Sequence, residues 1–212
     1  MSLQRSKKYT QEERSLARRR AFLDATWSIL IEQGFSALTL DAIIERSGGS
    51  RTTVYEEFGS KKGLIETVLA EHCELFADEL LISLDPHRPL EEALTGFCNK
   101  LLHGIISTEG VRIIRLIAAE GHKFPSIMEK FDALGPDRTR RMLADYLQKQ
   151  IHMNRLTLTD PSRAAEMLMA MLQGQIMSYL INPDSLVTLT EDEIRKQVQG
   201  AVTLFLNGAR PR

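Results

Sequence analysis

The sequence predicts an all-α protein, a short N-terminal three-helix unit followed by a larger helical bundle. Apolar residues recur at three- and four-residue spacing along nearly the whole chain, and no stretch alternates like a half-buried strand. The seven prolines fall where helices should begin or end. No internal repeat or low-complexity stretch breaks the pattern.

The first helix is expected over about Arg18–Gln33, with Phe22, Ala25, Ile29 and Leu30 on one face and Leu23 and Trp27 beside them. Gly34 ends it. Thr39 can accept from a free first-turn amide, so it caps a second helix over Leu40–Ser47. Gly48-Gly49 breaks that helix, and Ser50 caps a third over Arg51–Phe58. Gly59 ends the third, and Ser60 opens a long fourth reaching about Ser83. After a turn at Asp85-Pro86-His87-Arg88-Pro89, further helices are expected over about Leu90–Ser107, Val111–Gly121, Ser126–Leu134, Pro136–Met153, Pro161–Ile181 and Glu191–Asn207. Asp160-Pro161 sets a capping carboxylate before a first-turn proline, and Thr190 with Glu193 makes a capping box.

Bulk properties exclude several classes. The 212 residues are 43% hydrophobic and 26% charged, an ordinary globular balance. No apolar run approaches the roughly 18 residues of a membrane helix, and no apolar segment follows the basic N-terminus as in a secretory signal. A cytoplasmic protein with no membrane partner is expected. Cys73 and Cys98 form no metal-spaced or redox pair, and the five histidines are scattered. Phosphate loop, nucleophile elbow and paired carboxylates are all missing. No catalytic residue, metal or cofactor is therefore assigned. The net charge of −1 hides an asymmetry. Residues 1–63 carry 11 Lys+Arg against 8 Asp+Glu, and the first 20 residues carry 7 against 2. Basic charge gathered at one end suits contact with a polyanion.

Two short helices joined by a glycine turn, behind a longer packing helix, make a helix-turn-helix at about residues 40–58. The second helix of such a pair fits the major groove and offers its N-terminal residues to base edges. Ala21-Phe22-Leu23-Asp24-Ala25, Gly34-Phe35, Thr39, Ile43, Gly48, Ser50, Thr53-Val54-Tyr55, Phe58-Gly59-Ser60-Lys61 and Leu64 occur in this order without a gap. Over residues 18–70 the chain resembles the DNA-binding domain of the TetR/AcrR family.

The resemblance implies a DNA-binding regulator divided into a basic arm (1–17), a helix-turn-helix domain (18–64) and a helical effector-binding and dimerisation domain (65–212). Thr39, Ser50, Arg51, Thr52, Thr53, Tyr55 and Lys61 are the expected DNA contacts. Thr39 and the amides behind it suit a phosphate. Arg51 suits either a guanine edge or a phosphate. Tyr55 and Lys61 match positions that hold the backbone. Arg5, Lys7, Lys8, Arg14, Arg18, Arg19 and Arg20 can add phosphate contacts.

Three departures from the family pattern stand out. Glu56 and Glu57 occupy positions where an aromatic residue or histidine is usual, and Glu56 could accept from a cytosine or pair with Arg51 or Lys62. Gly49 replaces a branched residue beside an unusual Ile44, and Ile44 is expected to fill the space.

Half-sites lie one helical turn apart, so a homodimer is expected on double-stranded operator DNA. Met167, Leu168, Leu172 and Ile176 on one late helix, and Ile194, Val198, Val202 and Phe205 on the last, are its expected interface. Phe97, Leu101, Ile114, His122, Phe124, Met128, Phe131, Met171 and Gln175 are expected to line an adaptable pocket for a small apolar effector. Glu120-Gly121-His122-Lys123-Phe124-Pro125 with Phe131 and Gly135-Pro136 is similar to the AefR-like branch of these regulators. A repressor released by its ligand follows from the resemblance. An effector-independent DNA-binding protein, or a helical dimer that has lost DNA binding, remain the alternatives.

Overall fold

The computed structural model describes residues 10–174 and 189–210. Every element among them is helical: α1 (Gln11–Gln33), α2 (Leu40–Ser47), α3 (Arg51–Phe58), α4 (Lys61–Leu81), α5 (Leu90–Ile106), α6 (Thr108–Glu120), α7 (Pro125–Leu134), α8 (Pro136–His152), α9 (Pro161–Gln173) and α10 (Glu191–Ala209), with 3₁₀ turns at Phe35–Ala37 and Gly121–Lys123. The chain divides into two compact units, Met1–Leu69 and Ala70–Arg212.

In the first unit, α1 begins at Gln11 rather than Arg18. Thr10 accepts from the Glu13 amide (3.2 Å) while Glu13 reaches back to the Thr10 amide (2.7 Å). This reciprocal cap satisfies two otherwise orphaned amides, so residues 11–17 of the expected basic arm are helix. Phe22, Leu23, Ala25, Ile29 and Leu30 form the buried face, as the spacing predicted. Buried Ile43, Val54, Leu64 and Val68 supply the other helices' share of the core. The division falls after Leu69, not after residue 64. Ile65, Val68 and Leu69 are buried, and none of them belongs to the C-terminal core.

The space at Gly49 belongs to Phe22, not to Ile44. A Cβ on Gly49 would lie 2.1 Å from Phe22 Cζ, and its three nearest neighbours are all atoms of that ring. Phe22 is fully buried and meets Phe58 edge-to-face at 6.2 Å, a favoured aromatic geometry. Ile44 is half-buried on α2. A buried ring reaching up from α1 therefore sets how closely the turn can approach.

The second unit has its own core. Phe97, Leu101 and Leu102 of α5, Leu143 and Leu147 of α8, Leu168 and Leu172 of α9, and Val198 and Val202 of α10 are all buried in one cluster. Each such side chain contributes on the order of 1.5–3 kcal/mol through removal from water. Ser107 caps α6 by accepting from the Gly110 amide (3.0 Å), which starts that helix at Thr108 rather than Val111. Asp160 and Thr190 cap α9 and α10 as expected. The segment expected to carry α9 on to Ile181 lies outside the described residues. Arg138 pairs with Asp78 at 3.2 Å, and Arg155 donates to the Pro86 carbonyl at 2.9 Å, which ties α8 and the residues after it to the end of α4 and the turn beyond.

Candidate nucleic-acid interface

The turn between α2 and α3 is built by three residues. Gly48 is left-handed (φ 72°) and its amide closes on Ile44 O at 2.9 Å. Glycine takes this conformation without the strain that a Cβ brings. Gly49 lies against Phe22, and Ser50 then starts α3 by accepting from the Thr53 amide at 3.2 Å. Thr39 caps α2 in the same way, accepting from the Ala42 amide at 3.1 Å. Both hydroxyls thus have a structural task. As acceptors they keep their own O–H for another partner, which for Ser50 includes Thr53 Oγ1 at 2.9 Å.

Buried Val54 anchors α3 from beneath, while Arg51, Thr52 and Tyr55 stand on its exposed side and Thr53 is half-buried. Tyr55 is 53% exposed, far more than a packing role requires. Ser50, Arg51, Thr52 and Tyr55 therefore share one end of one accessible surface, as an element entering a groove must. Lys61, expected to hold a phosphate, donates to the Leu38 carbonyl at 2.8 Å. It ties the start of α4 to the loop before α2, and an ammonium with three donors retains capacity for a second acceptor.

The two glutamates differ. Glu57 accepts from Ser15 at 3.3 Å and pairs with Arg19 at 3.7 Å. The Arg19 guanidinium also lies 4.7 Å over the Phe58 ring, a cation–π arrangement. Glu57 is therefore matched from α1. Glu56 is exposed and pairs with neither Arg51 nor Lys62. Arg51 instead meets Asp41 at 2.6 Å, and Lys62 meets Glu66 at 3.6 Å. The hydrogen bond that Arg51 donates to Asp41, reinforced by the carboxylate charge, raises the Arg51 pKa above the ordinary arginine value. Asp41 escapes a reading of sequence alone because it lies ten positions from Arg51 on a different helix. Its one signal is a carboxylate two residues past a cap, at the edge of a helix-turn-helix. Arg5, Lys7 and Lys8 lie outside the described residues, whereas Arg14, Arg18, Arg19 and Arg20 lie on α1.

In the second unit the expected interface residues separate. Leu168, Leu172, Ile194, Val198 and Val202 are at most 3% exposed inside their own chain and offer no area to another. Met167 (55% exposed) does, and so does Leu204 (69%), which was not anticipated. With Met171 and the edge of Phe205 they line an open apolar groove of about 640 Å³ along α9 and α10, floored by Ala164, Ala170, Gly208 and Ala209. Ile176 and Gln175 lie outside the described residues.

The expected pocket residues also separate. Phe97 and Leu101 are core, with Ile114 and Met171 packed against that core. Phe124, Met128 and Phe131 are half-buried around the Gly121–Lys123 turn and α7, where Met128 Sδ would lie 2.8 Å from a Cβ on Gly121. His122 is exposed on that turn and contributes no wall to an enclosed site.

Known proteins match both units. Residues 22–68 match the family described as bacterial regulatory proteins, tetR family, and residues 92–208 match the AefR-like transcriptional repressor, C-terminal domain. The uncharacterized HTH-type transcriptional regulator YvkB of Bacillus subtilis (strain 168) is 23% identical over 88% of this chain and 94% of its own. The structure of the flavonoid-responsive regulator FrrA is 30% identical, with a TM-score of 0.77 over 92% of this chain and 98% of that one. A TetR-family regulator from Mesorhizobium loti MAFF303099 shares the fold, with a TM-score of 0.83 at 22% identity over 93% and 99% of the two chains. A serine-capped, glycine-turned reading helix and a separate helical unit, each matched over most of its length, establish that this chain belongs to the tetR family of DNA-binding transcriptional regulators, with an AefR-like C-terminal domain.

Proposed function

We propose that the protein is a repressor that binds a palindromic operator as a homodimer and is released by a small, apolar, aromatic ligand. The observation that carries the DNA half is the exposed side of α3, where Arg51, Thr52 and Tyr55 project beside a Ser50 cap. Family members bind DNA operators and usually act as dimers. A second copy fits the α9–α10 groove, because Met167 and Leu204 present apolar area and the alanines and glycine between them let helices approach closely. Thr39 and the first amides of α2, with Tyr55 and Lys61, hold phosphates, while Arg51 and Thr52 face bases. Residues 1–9 add a basic arm, and the helix-turn-helix and effector domains meet within α4.

The effector reading rests on Phe124, Met128 and Phe131, soft or aromatic side chains left half-buried, and on the flavonoid response for which the 30% identical FrrA is named. A ligand that binds better to a state with altered half-site separation must weaken DNA binding by linkage.

Selection of bound sites from random duplexes by the full-length protein tests the first half. A palindrome with half-site centres about 34–36 Å apart is expected, and enrichment of no motif overturns the reading. A flavonoid panel added to the protein on its selected site tests the second. Release by at least one compound, with raised thermal stability of the free protein, is expected, whereas a gain in stability with DNA binding unchanged refutes a releasing ligand.

A further inference from the structure

We propose that Asp41 is a specificity-determining positioning residue, which sets the Arg51 guanidinium for a guanine edge and disfavours its capture by a phosphate. This inference rests on the operator-binding reading above.

Asp41 is the second residue of α2 and Arg51 the first of α3, so their 2.6 Å bond spans the turn of the helix-turn-helix. The Arg51 and Asp41 side chains are 62% and 76% exposed. The pair buries nothing, and an ion pair this open contributes little to folding. Its role lies in where it holds the cation. Arg51 occupies the end of α3 that meets base edges. A free arginine there would swing through several rotors. A carboxylate oxygen that takes one Nη2 hydrogen fixes the plane of the fork and leaves the remaining donors, about four of five, directed elsewhere.

Charge then decides between the two acceptors that DNA offers. Arg51 is the single cation on α3, which also carries Glu56 and Glu57. A phosphate that captured Arg51 would have to approach the Asp41 carboxylate and compete with it. A guanine presents two neutral acceptors, O6 and N7. It can be bonded through the free donors while the Asp41 bond persists. The carboxylate therefore costs least on a duplex with guanine in register and most on any other.

The test uses full-length protein, the duplex it selects from a random pool, and a scrambled duplex of equal composition, each measured by fluorescence anisotropy across a salt series. D41N is expected to bind the scrambled duplex more tightly than wild type and to lower the selected-to-scrambled ratio by about 5- to 150-fold, the discrimination of one bidentate base contact. D41E should keep most of the ratio. R51A should lower it to a similar degree, and the double variant should be no worse than R51A alone, because Asp41 acts through Arg51. Replacing the contacted guanine by 7-deazaguanine should lower the wild-type selected-to-scrambled ratio to that of D41N. A D41N variant that shifts both duplexes by the same factor, or a double variant whose effects add, overturns the inference while leaving operator binding intact. Failure of wild type to prefer any duplex removes the operator-binding reading and this inference with it. Since the pair is exposed, D41N should melt as wild type does, which separates a positioning defect from a folding defect.

Discussion

Replacing Gly49 by alanine tests whether the Phe22 ring sets the helix-turn-helix turn. The added Cβ would lie 2.1 Å from Phe22 Cζ and 2.8 Å from Cε1. Carbon atoms in contact prefer about 3.5–4.0 Å, so the ring must retreat by more than an ångström. It has nowhere to go. Phe22 is fully buried, its ring rests edge-to-face on Phe58, and Arg19 covers the Phe58 ring. Overpacking of this kind costs about 1–3 kcal/mol. For a unit of this size that lowers the melting temperature by about 4–8 °C per kcal/mol.

The only tryptophan, Trp27, lies on α1, so its fluorescence reports unfolding of the first unit within the whole chain. Phe22→Leu removes the offending ring atoms and on its own destabilises by less than the about 3–5 kcal/mol of a Phe→Ala change. Combined with Gly49→Ala, it should cost at least about 1 kcal/mol less than the sum of the two single changes. Urea titrations of wild type, both single variants and the double variant supply the cycle. A Gly49→Ala change within about 0.5 kcal/mol of wild type, or a double variant that is additive, would refute the assignment of this space to Phe22.

Three further outcomes are expected. Deleting residues 1–9 removes Arg5, Lys7 and Lys8 but keeps the Thr10 cap. The slope of log affinity against log salt should become shallower by about 0.9 for each phosphate that the arm neutralises, and an unchanged slope in a filter-binding series would show that the arm neutralises none. Met167→Glu with Leu204→Glu should yield a folded monomer by light scattering, because both side chains are exposed. Leu168→Ala should instead cost about 2–5 kcal/mol by opening a cavity, and a double glutamate variant that still dimerises would place the interface elsewhere. Burial raises the Cys73 thiol to about 11 and the Cys98 thiol to about 12. The reactive thiolate is therefore scarce at pH 8, and both should resist alkylation in the native state and react after unfolding, as counted by mass spectrometry.

The helix-turn-helix is legible in the sequence because its determinants are local. Thr39, Gly48, Ser50 and Gly59 each act within four residues, and the bounds of α2 and α3 fall where their caps dictate. The start of α1 is harder to place although the Thr10–Glu13 box is present, because the basic run after it reads as an arm. Pairing between elements is what a sequence does not disclose. Nothing local distinguishes Phe22 from Ile44 as the neighbour of Gly49, or Asp41 from Glu56 as the partner of Arg51. The apolar stripes of α9 and α10 are visible, but their spacing does not say which side faces inward. Leu168 and Val198 face the core of their own chain, whereas Met167 and Leu204 do not.

The internal matching of charge around α3 has a physiological consequence. Arg19, Arg46, Arg51 and Lys62 each have an acidic neighbour, whereas Lys61 bonds a neutral carbonyl and keeps its charge. A head so neutralised displaces few condensed cations as it docks. The share of operator occupancy that depends on this surface should therefore vary little as a cell adjusts its potassium to osmotic stress. Residence on bulk chromosome should be brief, and stereochemical fit rather than ionic attraction should decide where the head comes to rest.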